Sequence, residues 1–166
     1  ISVWKYIARW GYIQLAMGLL QQSLDTTSGA TKAVATGNLA NLYQGVGDWK
    51  TALKLHGEVK EIFEAQGDRR NVAAALHQLG MVHQDQGNYP EAVRLYQQSL
   101  EIKKDLGDKS GIARSLGQLG RIKEEKRDFE GALEDYLTAL SIFEDLRDPS
   151  REIVKELIEI LRKITV

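Results

Sequence analysis

The sequence predicts an all-α protein, built as a right-handed α-solenoid of antiparallel helix pairs. Three observations predict this fold class: a pattern that recurs every 40 positions, apolar residues at helical spacing within each repeat, and turn residues at the same two places in each. Strand-like alternation of apolar and polar residues is absent. We therefore expect a stack of helical repeats.

The repeat is clearest between Asp68 and Gly107, and its pattern returns 40 positions later and 40 positions earlier. We expect a single array over residues 1–166, with a degenerate partial repeat at 1–29, repeats at 30–67, 68–107 and 108–147, and a C-terminal helix at 148–166. The recurring residues of the central repeat are Leu76, Leu79, Gly80, His83, Gly87, Asn88, Tyr89, Ala92 and Tyr96. Their later counterparts are Leu116, Leu119, Gly120, Lys123, Arg127, Asp128, Phe129, Ala132 and Tyr136, and the earlier ones are Leu39, Ala40, Tyr43, Gly47, Asp48, Trp49, Ala52 and His56.

The start of the chain reads as the end of one helix followed by a second. Residues Ser2–Arg9 have a helical pattern, and Trp10 and Gly11 would form the turn out of it. Thr27 or Ser28 would cap the next helix, over about residues 30–44. Counted in this way, the chain holds about nine helices, the full ones roughly 16 to 18 residues long.

Turn residues place the other helix ends. Glycine can adopt the left-handed conformation that ends a helix, and Asp or Asn can cap the next helix by accepting a backbone N–H. Proline fits the first turn of a helix, where its missing N–H has no partner. The ends placed in this way are Gly47-Asp48, Gly67-Asp68, Gly87-Asn88 with Pro90, Gly107-Asp108, Asp128, and Asp148-Pro149.

Composition limits the range of partners. The net charge is −1, which gives no reason to expect nucleic acid or an anionic membrane as partner. No apolar run approaches the roughly 18 residues of a membrane span. The absence of cysteine excludes a disulfide framework and thiolate metal sites and fits a reducing compartment, so we expect a cytoplasmic protein. The chain does not begin with methionine, and we expect it to be a fragment of a longer protein.

The spacing Leu76-x2-Leu79-Gly80-x2-His83, followed by Ala92-x3-Tyr96, resembles the tetratricopeptide helix-turn-helix unit. Its length is similar to the long-repeat subclass found in spindle-orientation adaptors, kinesin light chains and the sensor arms of bacterial signal-transduction ATPases. This resemblance implies a scaffold that binds a peptide or partner protein in a concave groove lined by the first helix of each pair. His83 and Lys123 stand where the family usually has Tyr.

We find no constellation of catalytic or metal-binding residues in the sequence. His56, His77 and His83 have no second histidine or carboxylate four positions away, as a helical metal site requires. His56 and His83 fall at core positions of the repeat, where a packing or hydrogen-bonding role is favoured. Glu124 and Glu125 point about 100° apart on a helix, which argues against joint acid/base work. We expect no enzyme activity and no cofactor.

One face of each first helix lies about 180° from its core stripe. According to the resemblance, this face lines the groove, and Asn41 holds the position at which long-repeat adaptors commonly bind a ligand backbone. The peptide-binding candidates on this face are Asn41, His77, Met81, Arg114, Gly117 and Arg121.

Arg114 and Arg121 stand two helical turns apart with Gly117 between them. Glycine there costs the helix about 1 kcal/mol relative to alanine, so some compensation is expected. One interpretation is tight packing of the glycine against a neighbouring helix, with both arginines in water. The other is a guanidinium pair with space for a carboxylate between its members, which predicts a preference for acidic peptides.

The last predicted helix, from about Pro149 to Ile164, is apolar around much more than the ~100° needed to cover one repeat. The repeat register would also place Glu156 and Glu159 at core positions. We expect this helix to be an interface, formed by Val154, Leu157, Ile158 and Leu161, that a second copy or another part of a parent protein covers. The alternative is that the helix rotates about its axis and buries the excess itself.

Three functions stay open at this point. The first is a protein-interaction scaffold belonging to a larger signalling or regulatory protein. The second is a structural module that stacks or oligomerises through its terminal helices, where Trp4, Trp10 and Tyr12 make one end apolar, or that serves as the sensor arm of an ATPase. The third is an enzyme, for which the sequence offers no site.

Overall fold

The computed structural model describes the backbone of residues 3–164 and the side chains of residues 11–164. Every regular element in this range is an α-helix, so the all-α prediction is confirmed. Three or four residues connect successive helices, which favours antiparallel neighbours. The helices are α1 (Val3–Leu24), α2 (Gly29–Gly45), α3 (Trp49–Ala65), α4 (Arg69–Asp85), α5 (Tyr89–Asp105), α6 (Lys109–Glu125), α7 (Phe129–Asp145) and α8 (Ser150–Ile164).

The helices belong to two compact units, the first ending at Val82 and the second beginning at His83. In the first unit α2 packs against α1 and α3, and a cluster of Ala33, Val59, Phe63 and Ala75 joins α2, α3 and the start of α4. In the second unit α6 packs against α5 and α7, and α7 packs against α8. Successive helices within each unit therefore bury one another's apolar faces.

The first helix differs from the sequence prediction. α1 runs without a break from Val3 to Leu24, through the turn that we expected at residues 10 and 11. The described residues consequently hold eight helices rather than nine. An isolated glycine costs a helix about 1 kcal/mol but does not end it unless a cap or proline follows, and neither follows Gly11. The lengths of 17 residues for α2 to α7 agree with the predicted range.

Aspartate caps begin most of the helices as predicted. The Oδ1 atoms of Asp48 and Asp128 accept hydrogen bonds from backbone N–H groups three residues later, at 3.1 and 3.0 Å. Asp148 accepts one from the N–H of Ser150 at 2.8 Å. Asn88 occupies the capping position of α5 but makes no such bond, and its amide lies 3.4 Å from Nδ1 of His83 instead. The predicted capping bond is therefore wrong for Asn88 alone among these four.

A close contact between a glycine and an aromatic ring sets the distance between α6 and α7. A Cβ atom on Gly120 would lie 2.7 Å from Cε1 of Tyr136, which leaves no room for a side chain. The buried Tyr136 ring in turn donates a hydrogen bond from its hydroxyl to Glu124 at 2.9 Å. Gly80 and Tyr96 occupy the equivalent positions one repeat earlier, and the Tyr96 hydroxyl donates to Gln84 at 2.8 Å.

The first repeat replaces both members of this pair. His56 stands at the tyrosine position and is buried beside α2, and Ala40 stands at the glycine position. If this pair is arranged like Gly120 and Tyr136, the smaller imidazole ring leaves room for the methyl group of Ala40. Among the described residues Nε2 of His56 has no hydrogen-bond partner. Burial lowers the pKa of His56 to about 4, because the charged imidazolium cannot be solvated there.

The last helix is rotated relative to its equivalent, α6. Its buried residues are Val154, Ile158 and Leu161, which pack against a cluster that includes Tyr136 and Phe143 of α7. In the repeat register these three positions correspond to Arg114, Gln118 and Arg121, of which both arginines are exposed in α6. The rotation amounts to one residue, or about 100°. It keeps Glu156 and Glu159 exposed, so the alternative that we left open, rotation about the helix axis, describes α8.

Two turns use arginine where the others use glycine. Gly47, Gly67, Gly87 and Gly107 follow helices with positive φ, and Arg127 and Arg147 take the same place with φ of 61° and 53°. Side chains other than glycine pay a steric cost of roughly 1–2 kcal/mol in this conformation. The turns after α6 and α7 are therefore strained.

Replacing Arg127 or Arg147 by glycine should stabilise the protein by about 0.5–1 kcal/mol each, since the strain disappears while the unfolded chain gains some entropy. Chemical denaturation measures the change. Lys126→Gly is the matched control, because it removes the same charge one position earlier, where φ is −83°. That control should destabilise. Equal changes in the free energy of unfolding for Arg127→Gly and Lys126→Gly would show that the backbone at Arg127 is not strained.

His56 should make the protein less stable in mild acid. The unfolded histidine binds a proton below about pH 6.5, whereas the folded one binds it only near pH 4. Stability is therefore lost as the pH falls from about 6.5 towards 4, by about 1.4 kcal/mol per pH unit at most. The double variant Ala40→Gly with His56→Tyr should remove this part of the loss, because tyrosine does not titrate in this range.

Urea denaturation of both proteins at several pH values tests the prediction, and the difference in unfolding free energy between them is the readout. Ala40→Gly alone is the control, since it keeps the histidine and should keep the pH dependence. His56→Tyr alone should destabilise, because the ring would meet the methyl group of Ala40 as it would meet a Cβ on Gly120. A pH-independent difference between the double variant and the wild type would contradict the assignment.

Candidate functional site

The candidate residues lie on the least buried face of the first helices, as the helical spacing predicts. In the first unit Asn41 of α2 is exposed, and His77 and Met81 of α4 are half-buried. In the second unit Arg114 and Arg121 of α6 are exposed, and Gly117 between them is half-buried. The three residues of each unit therefore present side chains or backbone to solvent. We call Arg114, Gly117 and Arg121 the arginine face of α6.

The arginine face has open space at its centre. A Cβ atom on Gly117 would meet no other atom within 4 Å. The interpretation in which this glycine packs tightly against a neighbouring helix is therefore wrong. Gly120, three residues further along, is the glycine that packs tightly, against Tyr136. Gly117 leaves a stretch of helix surface uncovered between two cationic side chains.

The two arginines of this face act electrostatically on Asp148, just before α8, and on tyrosines of α5 and α7. The charge of Arg114 contributes to lowering the pKa of Asp148, although hydrogen bonds from Ser150 are the larger cause. The charge of Arg121 acts on the tyrosines on both sides of α6, where it opposes the rise in pKa that burial imposes on Tyr96 and Tyr136. Among the described residues neither guanidinium forms an ion pair within 4.0 Å.

A buried lysine below this face was not among the residues that we singled out from the sequence. Lys103 of α5 is 6% exposed and donates a hydrogen bond from Nζ to Oγ of Ser115 on α6 at 2.9 Å. Burial lowers its pKa to about 8, with a smaller contribution from the charge of Arg114. The repeat pattern could have predicted that Lys103 is buried, because the equivalent positions in the neighbouring repeats hold Phe63 and Phe143.

A second polar contact joins α6 to α7. Lys123 forms an ion pair with Asp135 at 2.7 Å, and its Nζ also lies 3.3 Å from the carbonyl oxygen of Gly131. The position of Asp135 holds Leu55 and Leu95 in the other repeats. Lysine at the usual tyrosine position is therefore matched by an acid on the facing helix. This contact is structural and lies between the helices.

The four residues that we expected to form an interface are placed differently. Val154, Ile158 and Leu161 are buried within the chain, and Leu157 is half-buried against the same cluster. They cannot be the exposed face of α8, because α7 already covers them. At the other end Tyr12 is exposed, whereas the side chains of Trp4 and Trp10 lie outside the described residues.

Other kinds of site are not found in the part of the chain that the structure describes. Residues 3–164 include no helix long and apolar enough to cross a membrane. No group of three or more acidic or histidine side chains among the described residues is arranged to hold a metal ion. An open depression of about 580 Å³ is lined by Glu124, Glu125, Arg127, Phe129 and Ile164. Of its two glutamates, Glu124 accepts the hydrogen bond of the Tyr136 hydroxyl.

Comparison with known structures identifies similar folds at low sequence identity. BtubC (BKLC) from P. vanneervenii is 16% identical, with a TM-score of 0.71 over 95% of this chain and 76% of that one. The apo form of RapI is 16% identical, with a TM-score of 0.82 over 96% of this chain and 46% of that one. Aspartyl phosphate phosphatase F from Bacillus subtilis is 16% identical, with a TM-score of 0.77 over 81% and 36%. The chain thus spans less than half of the last two proteins.

Sequence comparison gives the family. No curated protein matches the chain. The tetratricopeptide repeat model, however, matches residues 31–105 and again residues 71–145, in register with the repeats described above. These matches cover most of the chain, and the helix pairs have the expected capping and packing. The chain therefore belongs to the tetratricopeptide repeat family.

Proposed function

We propose that the chain is a protein-interaction scaffold whose first helices bind an extended acidic segment of a peptide or partner protein. The family fold supports an interaction module in general. The observation that carries the more specific proposal is the arginine face of α6, with two exposed guanidinium groups and an uncovered glycine between them.

The spacing of the arginine face suits an extended ligand. Arg114 and Arg121 are seven residues apart, which is about 10.5 Å along the helix axis. Side chains on the same side of an extended peptide recur about every 6.6–6.8 Å, so the arginine spacing lies between one and two such repeats, and the long arginine side chains have to span the difference. Guanidinium groups bind carboxylates through two parallel hydrogen bonds. Gly117 would let the peptide backbone approach the helix between the two contacts.

Asn41, His77 and Met81 are the corresponding candidates of the first unit. Asn41 offers an amide that can both donate to and accept from a peptide backbone. Met81 offers a flexible apolar surface. These three residues are less charged than the arginine face, so in the proposal the acidic preference comes from α6. A chain of this kind would serve a larger signalling or regulatory protein in the cytoplasm by holding a partner.

The double variant Arg114→Glu with Arg121→Glu should abolish binding of acidic peptides, because it replaces attraction by repulsion. A fluorescently labelled library of extended peptides rich in Asp and Glu is the probe, and the same library with Asn and Gln at those positions is the reference. We expect roughly micromolar dissociation constants for the best acidic members, since ordering a flexible peptide offsets much of the contact energy. Binding should weaken with added salt.

The matched control is Lys104→Glu with Lys109→Glu, which changes the net charge by the same amount at exposed positions away from the arginine face. It should bind acidic peptides nearly as well as the wild type. Gly117→Leu should also weaken binding, because it fills the space between the arginines. An equal loss of affinity in the control and the arginine variant would mean that net charge alone governs binding. No loss of affinity in either variant would refute the proposed site.

The two glycines of α6 should respond oppositely to alanine. Gly117→Ala should stabilise the fold by about 0.5–1 kcal/mol, because alanine is the better helix former and its Cβ meets open space. Gly120→Ala should destabilise it by about 1–3 kcal/mol, because the Tyr136 ring must move. Thermal unfolding of both variants is the measurement. Destabilisation by Gly117→Ala would show that the centre of the arginine face is not open.

A further inference from the structure

The ammonium group of Lys103 is a buried cation without a counter-charge in contact with it. Among the described residues its hydrogen bond goes to Oγ of Ser115, which is itself fully buried, and it forms no ion pair within 4.0 Å. A Cβ atom on Gly111 would lie 2.9 Å from Cδ of Lys103, so the aliphatic part of the side chain fills the space beside that glycine. Buried charges in proteins are normally paired. Lys103 is an exception to this rule.

Two charged groups act on Lys103 from the segments around it. Burial is the main reason why its pKa is lowered to about 8, and the charge of Arg114 on α6 acts in the same direction. Asp108, in the turn before α6, acts in the opposite direction, but its carboxylate already accepts a hydrogen bond from the N–H of Gly111 at 2.9 Å. Asp85, at the end of α4, is not among the groups that act on Lys103. The charged neighbours on α5 itself are exposed, and they are Glu101, Lys104 and Asp105.

A carboxylate bound at Arg114 would change this balance of charges. It would offset the repulsion between Arg114 and the ammonium group and add an attraction of its own, so it would favour the protonated form of Lys103. Linkage requires the converse as well, because two coupled binding events strengthen each other by the same factor. Protonated Lys103 would therefore strengthen the binding of the carboxylate.

We propose that an acidic ligand on the arginine face supplies the counter-charge that buried Lys103 lacks, so that binding takes up a proton on Lys103 and weakens as the pH rises. The inference rests on the function proposed above for α6 and adds its regulation by pH. Near pH 7 Lys103 is mostly protonated, and the ligand meets three cations. Above about pH 9 Lys103 is mostly neutral, and the ligand meets only the two arginines.

The expected effect of pH on affinity is moderate. A charge interaction over roughly 10 Å near a protein surface changes a dissociation constant by about two- to tenfold. We therefore expect the affinity for an acidic peptide to fall by about two- to tenfold between pH 7 and about pH 9.5.

Isothermal titration calorimetry tests the linkage. The probe is an eight-residue peptide of Asp and Glu with both ends blocked, so that no group of the peptide titrates between pH 7 and pH 9.5. The dissociation constant is measured across this range, and each titration is repeated in a second buffer with a different enthalpy of ionisation. The difference in heat between the buffers gives the number of protons bound. We expect uptake of a fraction of one proton near pH 8.5.

The double variant Lys103→Phe with Ser115→Ala is the matched control. It reproduces the pair Phe63 and Ala75 of the preceding repeat, which packs within one apolar cluster. The α-amino group and the exposed lysines titrate in the variant as in the wild type, so the difference between the two proteins isolates Lys103. The variant should bind the peptide with the affinity that the wild type has at high pH, and it should lose the proton uptake. Lys103→Met provides a second comparison that keeps the serine.

The outcomes separate the two proposals. If the wild type and both folded variants bind the peptide with the same pH dependence, the role of Lys103 is refuted and the binding site on α6 stands. If the wild type binds no acidic peptide at any pH, both proposals fail. Circular dichroism checks that each variant is folded.

A titration of Lys103 by nuclear magnetic resonance tests the coupling without any ligand. Arg114→Gln should raise the pKa of Lys103, because it removes the cation that opposes protonation. Lys126→Gln is the control, since it removes an exposed cation at the far end of α6. The signal is assigned by its loss in Lys103→Met. A titration midpoint that Arg114→Gln leaves unchanged would overturn the inference whether or not a peptide binds.

Discussion

The close approach of two helices in a pair depends on one contact, the Tyr136 ring against the bare backbone of Gly120. A methyl group at Gly120 would overlap the ring, so the ring can be buried completely only because the glycine has no side chain. Burial of the ring then brings its hydroxyl to Glu124, which accepts its hydrogen bond. The contact thus fixes both the distance between the helices and their position along each other. The packing of the remaining apolar residues follows from that geometry.

Departures from the repeat pattern occur as matched changes on facing helices. A histidine in place of the tyrosine accompanies alanine in place of the glycine, at positions 56 and 40. A lysine at position 123 is met by Asp135, where other repeats have leucine. Lys103 replaces phenylalanine and finds a hydroxyl acceptor in Ser115. Each change conserves either volume or polar pairing, as a close-packed interior requires. His56 is the incomplete case, because its buried Nε2 lacks a partner among the described residues.

Local features of the fold were predictable from the sequence, whereas features that depend on packing were not. Capping by Asp48 and Asp128 and the glycine turns follow from backbone chemistry alone, and they appear where expected. α1 continues through Gly11. Helix propensity gives the cost of a glycine inside a helix, but it does not decide whether the helix ends there. The rotation of α8 depends on whether exposing Glu156 and Glu159 outweighs the change in which apolar residues pack against α7. The sequence does not give that packing, so the rotation could be stated only as an alternative. Exposure of the arginine face followed from helical spacing, but the open space at Gly117 depends on how neighbouring helices pack.

The buried hydrogen bond between Lys103 and Ser115 joins two neighbouring repeats, whereas the contacts of Tyr136 and Lys123 lie within one. Gly120 with Tyr136, and Lys123 with Asp135, lie within one repeat, so duplication of that repeat would copy both partners together. Lys103 ends one repeat and Ser115 begins the next. Suppose that the repeats were reordered so that the repeat ending with Lys103 were followed by another copy of repeat 68–107. Lys103 would then face Ala75, the equivalent of Ser115, which has no side-chain acceptor. Buried Lys103 would then lack its hydrogen bond. This buried pair thus makes the order of these two repeats, and not only their number, part of what the sequence encodes.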